Sequence, residues 1–188
     1  PITPTAGRHP LPDPARLARK LGEWGIGGGT QIVAYDDMGG MLAAARLWWL
    51  SRWLGHEAVA VLDGGLSAWR QAELPLTAEL PVARSATFEA RPDDRLWLTT
   101  ARVQALSKEE LLVDARAAAR YRGEMEPIDP VAGHMPGAVN LPTEDNLVAD
   151  GHFRPVAELR ARFLAVLEGR APTAVAHSCG SGVTACHN

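Results

Sequence analysis

The chain closes on HSCGSGVTACHN, in which Cys179 is followed by Gly180, Ser181 and Gly182. A thiol behind a run of small residues suits nucleophilic chemistry, because small side chains let successive amide N–H groups curl inward and form a nest for an anion. TAVAH, just upstream, reads as a strand, and a helix is predicted to start near Val183. That order puts Cys179 at the mouth of a helix N-terminus, where unpaired amides and the positive end of the macrodipole favour thiolate over thiol. A persulfide, Cys-S-S⁻, would suit the same nest. The plainer reading of any free cysteine is core filling. It is the reading adopted for Cys186, which follows Thr184 and Ala185 in the predicted helix.

The elements that must position this loop can be followed along the chain. Asp13 is placed to cap a helix with Pro14 in its first turn and apolar residues at Leu17, Leu21 and Trp24, ending near Gly25. QIVAY reads as a strand, DDMGG as a turn and MLAAARLWWLSRWLG as an apolar helix stopped by Gly55. AVAVLDGG is a second strand and LSAWRQA a short helix. From about Leu74 to Asp94 the composition shifts to Pro, Ala, Glu and Arg without a helical period, as in a linker. Beyond it, Thr99 or Thr100 caps ARVQALSKEE, LLVDAR is a strand, AGHMPGAVNLP a turn and strand, and PVAELRARFLAVLEG an amphipathic helix. Strands alternating with helices favour parallel sheets flanked by helices. The end of the chain also repeats an earlier unit: sliding Val175–Val183 back onto Val33–Met41 puts Cys179 over Asp37, so only the second copy carries sulfur.

Composition narrows the partners. Of 188 residues, 46% are hydrophobic and 22% charged, enough for a packed core, and the formal net charge of −3 provides no basic field for nucleic acid or an anionic membrane. The apolar run Met41–Leu54 is interrupted by Arg46, Ser51 and Arg52, so it reads as a buried helix rather than a membrane span. The opening PITPTAGRHPLPDP reads as a loop and not as a signal peptide. Two cysteines cannot staple a fold of this size, and a cytoplasmic, reducing location is expected.

CGSGVTAC, DARAAARYRGE and GHMPGAVNLP together resemble the catalytic domain of tandem-domain rhodanese-type sulfurtransferases. VAYDDMGGMLAAARLWWLSRWLGHEAVAVLDGGLSAW is similar to the latter part of the inactive N-terminal domain of that family. The resemblance implies an α/β fold class with two rhodanese-like domains, each a mostly parallel sheet flanked by helices, both incomplete in this chain. Residues 1–77 would be the latter part of the N-terminal domain, 78–94 a linker, and 95–188 the catalytic domain, truncated after the active loop. The implied activity moves a sulfane sulfur from thiosulfate or 3-mercaptopyruvate to cyanide or a thiol, through a persulfide on Cys179 and without cofactor or metal. The amides of Gly180, Ser181, Gly182, Val183 and Thr184 would hold the persulfide, and Arg120 would take the anionic end of the donor, a task that suits a guanidinium fork.

Which donor is left even by the loop. Ser181 matches the 3-mercaptopyruvate pattern, in which this serine takes part in proton transfer, whereas thiosulfate-type loops tend to carry basic residues. That pattern also has a second arginine shortly after the first, where this chain reads Glu126-Pro127-Ile128-Asp129. The histidine and aspartate that complete proton transfer in the family are expected to lie in a part of the first domain that this chain lacks. Asp114 and Arg116 look structural, the carboxylate capping the next helix. Gly133, His134 and Gly137 look like turn formers.

Three rivals are weaker or bland. A phosphatase of similar fold needs a phosphate-gripping arginine at the end of the loop, where Ala185 stands. A metal site from His177, Cys179, Cys186 and His187 matches no common zinc spacing. A non-catalytic binding or scaffold module is the third.

Overall fold

The computed structural model describes residues 7–188. Helix α1 (Pro14–Glu23) starts where the sequence predicts, with Asp13 Oδ1 accepting from the Arg16 amide at 2.7 Å and Pro14 in the first turn. Strands β1 (Ile32–Ala34) and β2 (Val59–Val61) pair in parallel, with Ile32 opposite Val59. Helix α2 (Ala43–Trp53) crosses between them and α3 (Gly65–Gln71) follows. Leu21, Trp53, Leu54 and Phe88 form the buried core of this half.

Helix α2 begins later than the apolar run suggests, and the cause is Asp36. Its carboxylate accepts from four amides: Met38 and Gly40, both at 2.9 Å, Leu42 at 3.0 Å and Ala44 at 3.1 Å. The Leu42 amide is therefore spent on a nest around an anion at the helix start, and the Met41 amide on a turn to Met38 O. Burial pushes the Asp36 carboxyl up, but these amides outweigh it and leave it below the ordinary aspartate range. Asp36, not Asp37, thus holds the place in the first half that Cys179 holds in the second. Asp37 is exposed and lies 4.0 Å from Arg70.

The Pro- and Ala-rich stretch has no regular structure up to a 3-10 turn at Asp94–Leu96, yet it does not hang free. The Ala86 amide donates to Gly22 O and the Arg91 amide to Leu54 O, both at 2.9 Å, while Phe88 is buried against α1 and α2. A side-chain carbon on Gly22 would lie 2.5 Å from Ala86 O, so that approach requires glycine. The burial of Phe88 is what a linker reading of this segment misses.

In the second half α4 (Thr100–Gln104) is capped by Thr99 and is shorter than ARVQALSKEE suggested. Glu110 folds back to accept from the Ser107 amide at 3.0 Å, which closes a separate turn. Strands β3 (Leu111–Asp114), β4 (Val139–Asn140) and β5 (Val175–Ser178) form a parallel sheet in the order β4-β3-β5, with α5 (Ala118–Tyr121) and α6 (Val156–Leu167) in the connections. Leu111, Val113 and Leu141 are its buried core, against Phe163, Val166 and Val175. His134 packs as a turn residue, its ring stacked on Tyr121 at 3.8 Å and its Nδ1 2.7 Å from Tyr121 O. Among the described residues, no helix is long and apolar enough to cross a membrane.

Two expectations need correction here. Among the described residues Val183 does not begin an α-helix: Thr184–His187 is a 3-10 turn. Nor does Asp114 cap α5, whose N-cap Ala117 has no side-chain bond. The Asp114 carboxylate accepts instead from the amide of Arg116 at 3.0 Å and from its guanidinium at 2.7 Å.

Candidate active site

Strand β5 ends at Ser178, whose carbonyl accepts from the Ala115 amide at 2.8 Å and whose hydroxyl donates to Val113 O at 3.2 Å. The chain then turns through Cys179 to Gly182, which has φ +73, a left-handed conformation that side chains resist. That turn lets the Gly182 N–H donate back to Cys179 Sγ at 3.0 Å. Burial raises the pKa of the Cys179 thiol. The Thr184 hydroxyl and the amides of Ser181, Ala185 and Gly182 more than offset this, leaving the thiol more acidic than an ordinary cysteine. These direct bonds carry the effect. The amides that reach the sulfur are those of Ser181, Gly182 and Ala185. Those of Gly180 and Val183 are not among them, and Thr184 contributes its side chain.

The Thr184 hydroxyl gives a direct test of this account. Thr184→Val keeps the shape and removes the donor, so the thiol should become less acidic. Its alkylation at neutral pH should slow roughly tenfold, the worth of one bond to a charged group, and the pH profile should move upward. An unshifted profile would mean that Thr184 does not stabilise the thiolate.

Cys179 and Ser181 line a cavity of about 650 Å³ together with Gly180, Val183 and Thr184, so the loop residues singled out in the sequence do come together. The Ser181 hydroxyl makes no hydrogen bond among the described residues. Ile128, standing where the family pattern expects an arginine, is on the wall, as is Arg120 from α5. Arg120 is already engaged: Nη2 donates to Glu126 Oε1 at 2.6 Å and to Asp129 Oδ2 at 2.8 Å. The Arg120 bond, with help from the amides of Asp129 and Ile128, holds the Glu126 carboxyl down at about 2.

Sequence reasoning missed three residues of the first half. Arg8 and His9 precede α1 in the loop-like opening, and both line the cavity. His9 is a histidine on the wall of the cavity that Cys179 lines, where none was expected from this chain. Arg46 of α2 is the third. Its Nη1 donates to Gly182 O at 2.9 Å and lies 3.6 Å from Cys186 Sγ, while its Nη2 reaches His9 O at 3.4 Å. One guanidinium thereby ties the sulfur loop to the His9 segment. The available signals were a cation inside an apolar helix and an Arg-His pair in a Pro-rich stretch. Cys186 behaves as packing: burial pushes its thiol up, and it donates to Gly182 O at 3.2 Å. Among the described residues no group of His, Cys, Asp and Glu is arranged to hold a metal ion.

Residues 2–72 match the family model for the rhodanese-like domain. The probable 3-mercaptopyruvate sulfurtransferase of Pseudomonas aeruginosa is 52% identical over 97% of this chain and 65% of its own length. The human 3-mercaptopyruvate sulfurtransferase is 39% identical over 95% of this chain and 62% of its own length. The 3-mercaptopyruvate sulfurtransferase structure from Leishmania major superposes with a TM-score of 0.82 at 30% identity, covering 98% of this chain and 52% of the other.

The chain carries a rhodanese-like domain.

It spans less than two thirds of the length of these curated relatives. The rhodanese-like match at 2–72 falls on the half whose nest holds Asp36, and the thiol lies in the other half. Two nests in one chain, one filled by a carboxylate and one by sulfur, account for the internal repeat seen in the sequence.

Proposed function

We propose that the protein is a sulfurtransferase whose Cys179 carries sulfane sulfur from 3-mercaptopyruvate to a thiol or cyanide acceptor. The observation that carries this reading is the thiol itself, held below its ordinary pKa by three amides and a hydroxyl at the wall of a cavity lined with guanidinium groups. The thiolate attacks the donor sulfur, and the carbon–sulfur bond breaks. Pyruvate leaves as its enolate and takes up a proton, for which Ser181 and His9 stand at the cavity wall. The terminal persulfide sulfur then passes to the acceptor and the thiolate returns, so no outside oxidant or reductant is needed. Thiosulfate would enter the same cycle, with sulfite leaving. The neutral loop CGSGVT and the printed names of the two relatives favour mercaptopyruvate.

The same reading assigns 1–77 and 95–188 to two rhodanese-like domains joined by 78–94. It also puts the protein in the cytoplasm, where both thiols stay reduced.

Thiocyanate production by the full-length protein, measured with each donor, tests the proposal. Turnover of mercaptopyruvate with kcat/KM at least roughly tenfold above that for thiosulfate is expected, a difference of about 1.4 kcal/mol in transition-state binding. Mass spectrometry should find one added sulfur on Cys179. A protein that turns over neither donor and gains no sulfur would instead be a binding module.

A further inference from the structure

Alternating charges run toward the sulfur loop as a ladder: Asp114, Arg116, Glu126, Arg120, Asp129, Arg8. Arg116 bonds Asp114 and lies 3.2 Å from Glu126, and Arg120 bonds Glu126 and Asp129. Asp129 offers one oxygen to each neighbour, Oδ2 to Arg120 at 2.8 Å and Oδ1 to Arg8 Nη1. Arg116 and Arg120 each sit between two carboxylates. Arg8 is the last rung and, among the described residues, has Asp129 alone.

The open end of the ladder meets the sulfur loop at Gly180. A side-chain carbon on Gly180, the residue after Cys179, would lie 2.6 Å from Arg8 Nη2, 2.8 Å from Asp129 Oδ2 and 3.4 Å from Arg120 Nη2. Arg8 Nη2 is therefore packed against the backbone of the loop, and it makes no hydrogen bond among the described residues. Its position is built from both sides: Asp129 holds the guanidinium, and Arg46 holds the next residue through His9 O while gripping Gly182 O. The Arg8 and Arg120 side chains are only 26% and 14% exposed, so an anion meeting them is screened less than at an open surface.

We propose that Arg8 is a donor-binding residue: with Arg120 it holds the anionic end of the sulfur donor, the carboxylate of an α-oxo acid, across the mouth of the Cys179 loop. Asp129 sets the two guanidinium groups in register, and Nη2 of Arg8 supplies donors that nothing among the described residues uses. The donor site is thereby shared between segments more than a hundred residues apart, as the Arg8–Asp129 separation of 121 positions shows. This rests on Cys179 being the sulfur-carrying thiol.

Two alkylating probes of the same size test the assignment without depending on turnover. Iodoacetate carries a carboxylate and iodoacetamide does not. In the full-length protein, Arg8→Ala should slow iodoacetate modification of the Cys179 peptide roughly tenfold, in line with the loss of one bond to a charged group, while the iodoacetamide rate changes less than twofold. Arg8→Lys should recover part of the iodoacetate rate. In cyanolysis, Arg8→Ala should raise KM for mercaptopyruvate roughly tenfold with kcat little changed. Equal slowing of both probes would make Arg8 a structural residue, and no slowing of either would remove it from the site; both overturn the inference. A wild-type protein that turns over no donor is a different failure, which sinks the proposed function and leaves the probe ratio to be read alone.

Discussion

Cys179→Ser is expected to abolish sulfur transfer from both donors, with a loss of at least roughly 10³-fold, the scale on which removal of a covalent nucleophile acts. The serine oxygen can accept from the same Gly182 amide and Thr184 hydroxyl, so the loop should keep its shape and the thermal midpoint should stay close to that of the parent. Oxygen cannot carry a sulfane sulfur through the cycle, and a hydroxyl is far less acidic than this thiol. Added sulfur should disappear from the residue 179 peptide in the mass spectrum. Transfer that persisted in the variant at a tenth of the parent rate would put the sulfur elsewhere, with Cys186 the remaining thiol.

The largest stability effect is expected at Asp114. It is almost wholly buried at the end of β3, and its carboxylate holds both the amide and the guanidinium of Arg116. Removing one partner of a buried pair costs about 3–5 kcal/mol, because the other charge is stranded. Asp114→Ala should therefore lower the thermal midpoint by on the order of 10 °C in a chain of this size. Arg116 also donates to Glu126, which positions Arg120, so the variant should bind donor more weakly even where it folds. Glu124→Ala is the control. Its pair with Arg122 is more than half exposed, and solvent screening leaves such a pair little weight. Equal thermal shifts in the two variants would refute the claim that the ladder is anchored at Asp114.

The parts of the site legible in the sequence are those whose partners are close neighbours in the chain. The nest around Cys179 is made by Ser181, Gly182, Thr184 and Ala185, a few residues downstream, so small residue types and their spacing were enough to find it. Asp13 and Thr99 as caps were readable for the same reason. The internal repeat was visible too, but its register was off by one. Whether Asp36 or Asp37 fills the first nest depends on where the backbone turns after β1, and side-chain types do not report that.

The sequence by itself determined the immediate setting of Cys179: a thiol in a tight turn after a strand, with amides at hand, because those hydrogen bonds are local and need only small residues in order. Tertiary structure alone decided what surrounds it. Arg8, His9 and Arg46 reach the cavity because α2 and the segment before α1 pack onto the sulfur loop. Phe88 is buried because a stretch with no periodic pattern lies along α1 and α2. Arg120 meets Asp129 and Arg8 in one charge ladder for the same kind of reason. Such contacts join positions far apart in the chain, and their energy is realised only once the packed core has brought the segments together, so no local spacing encodes them.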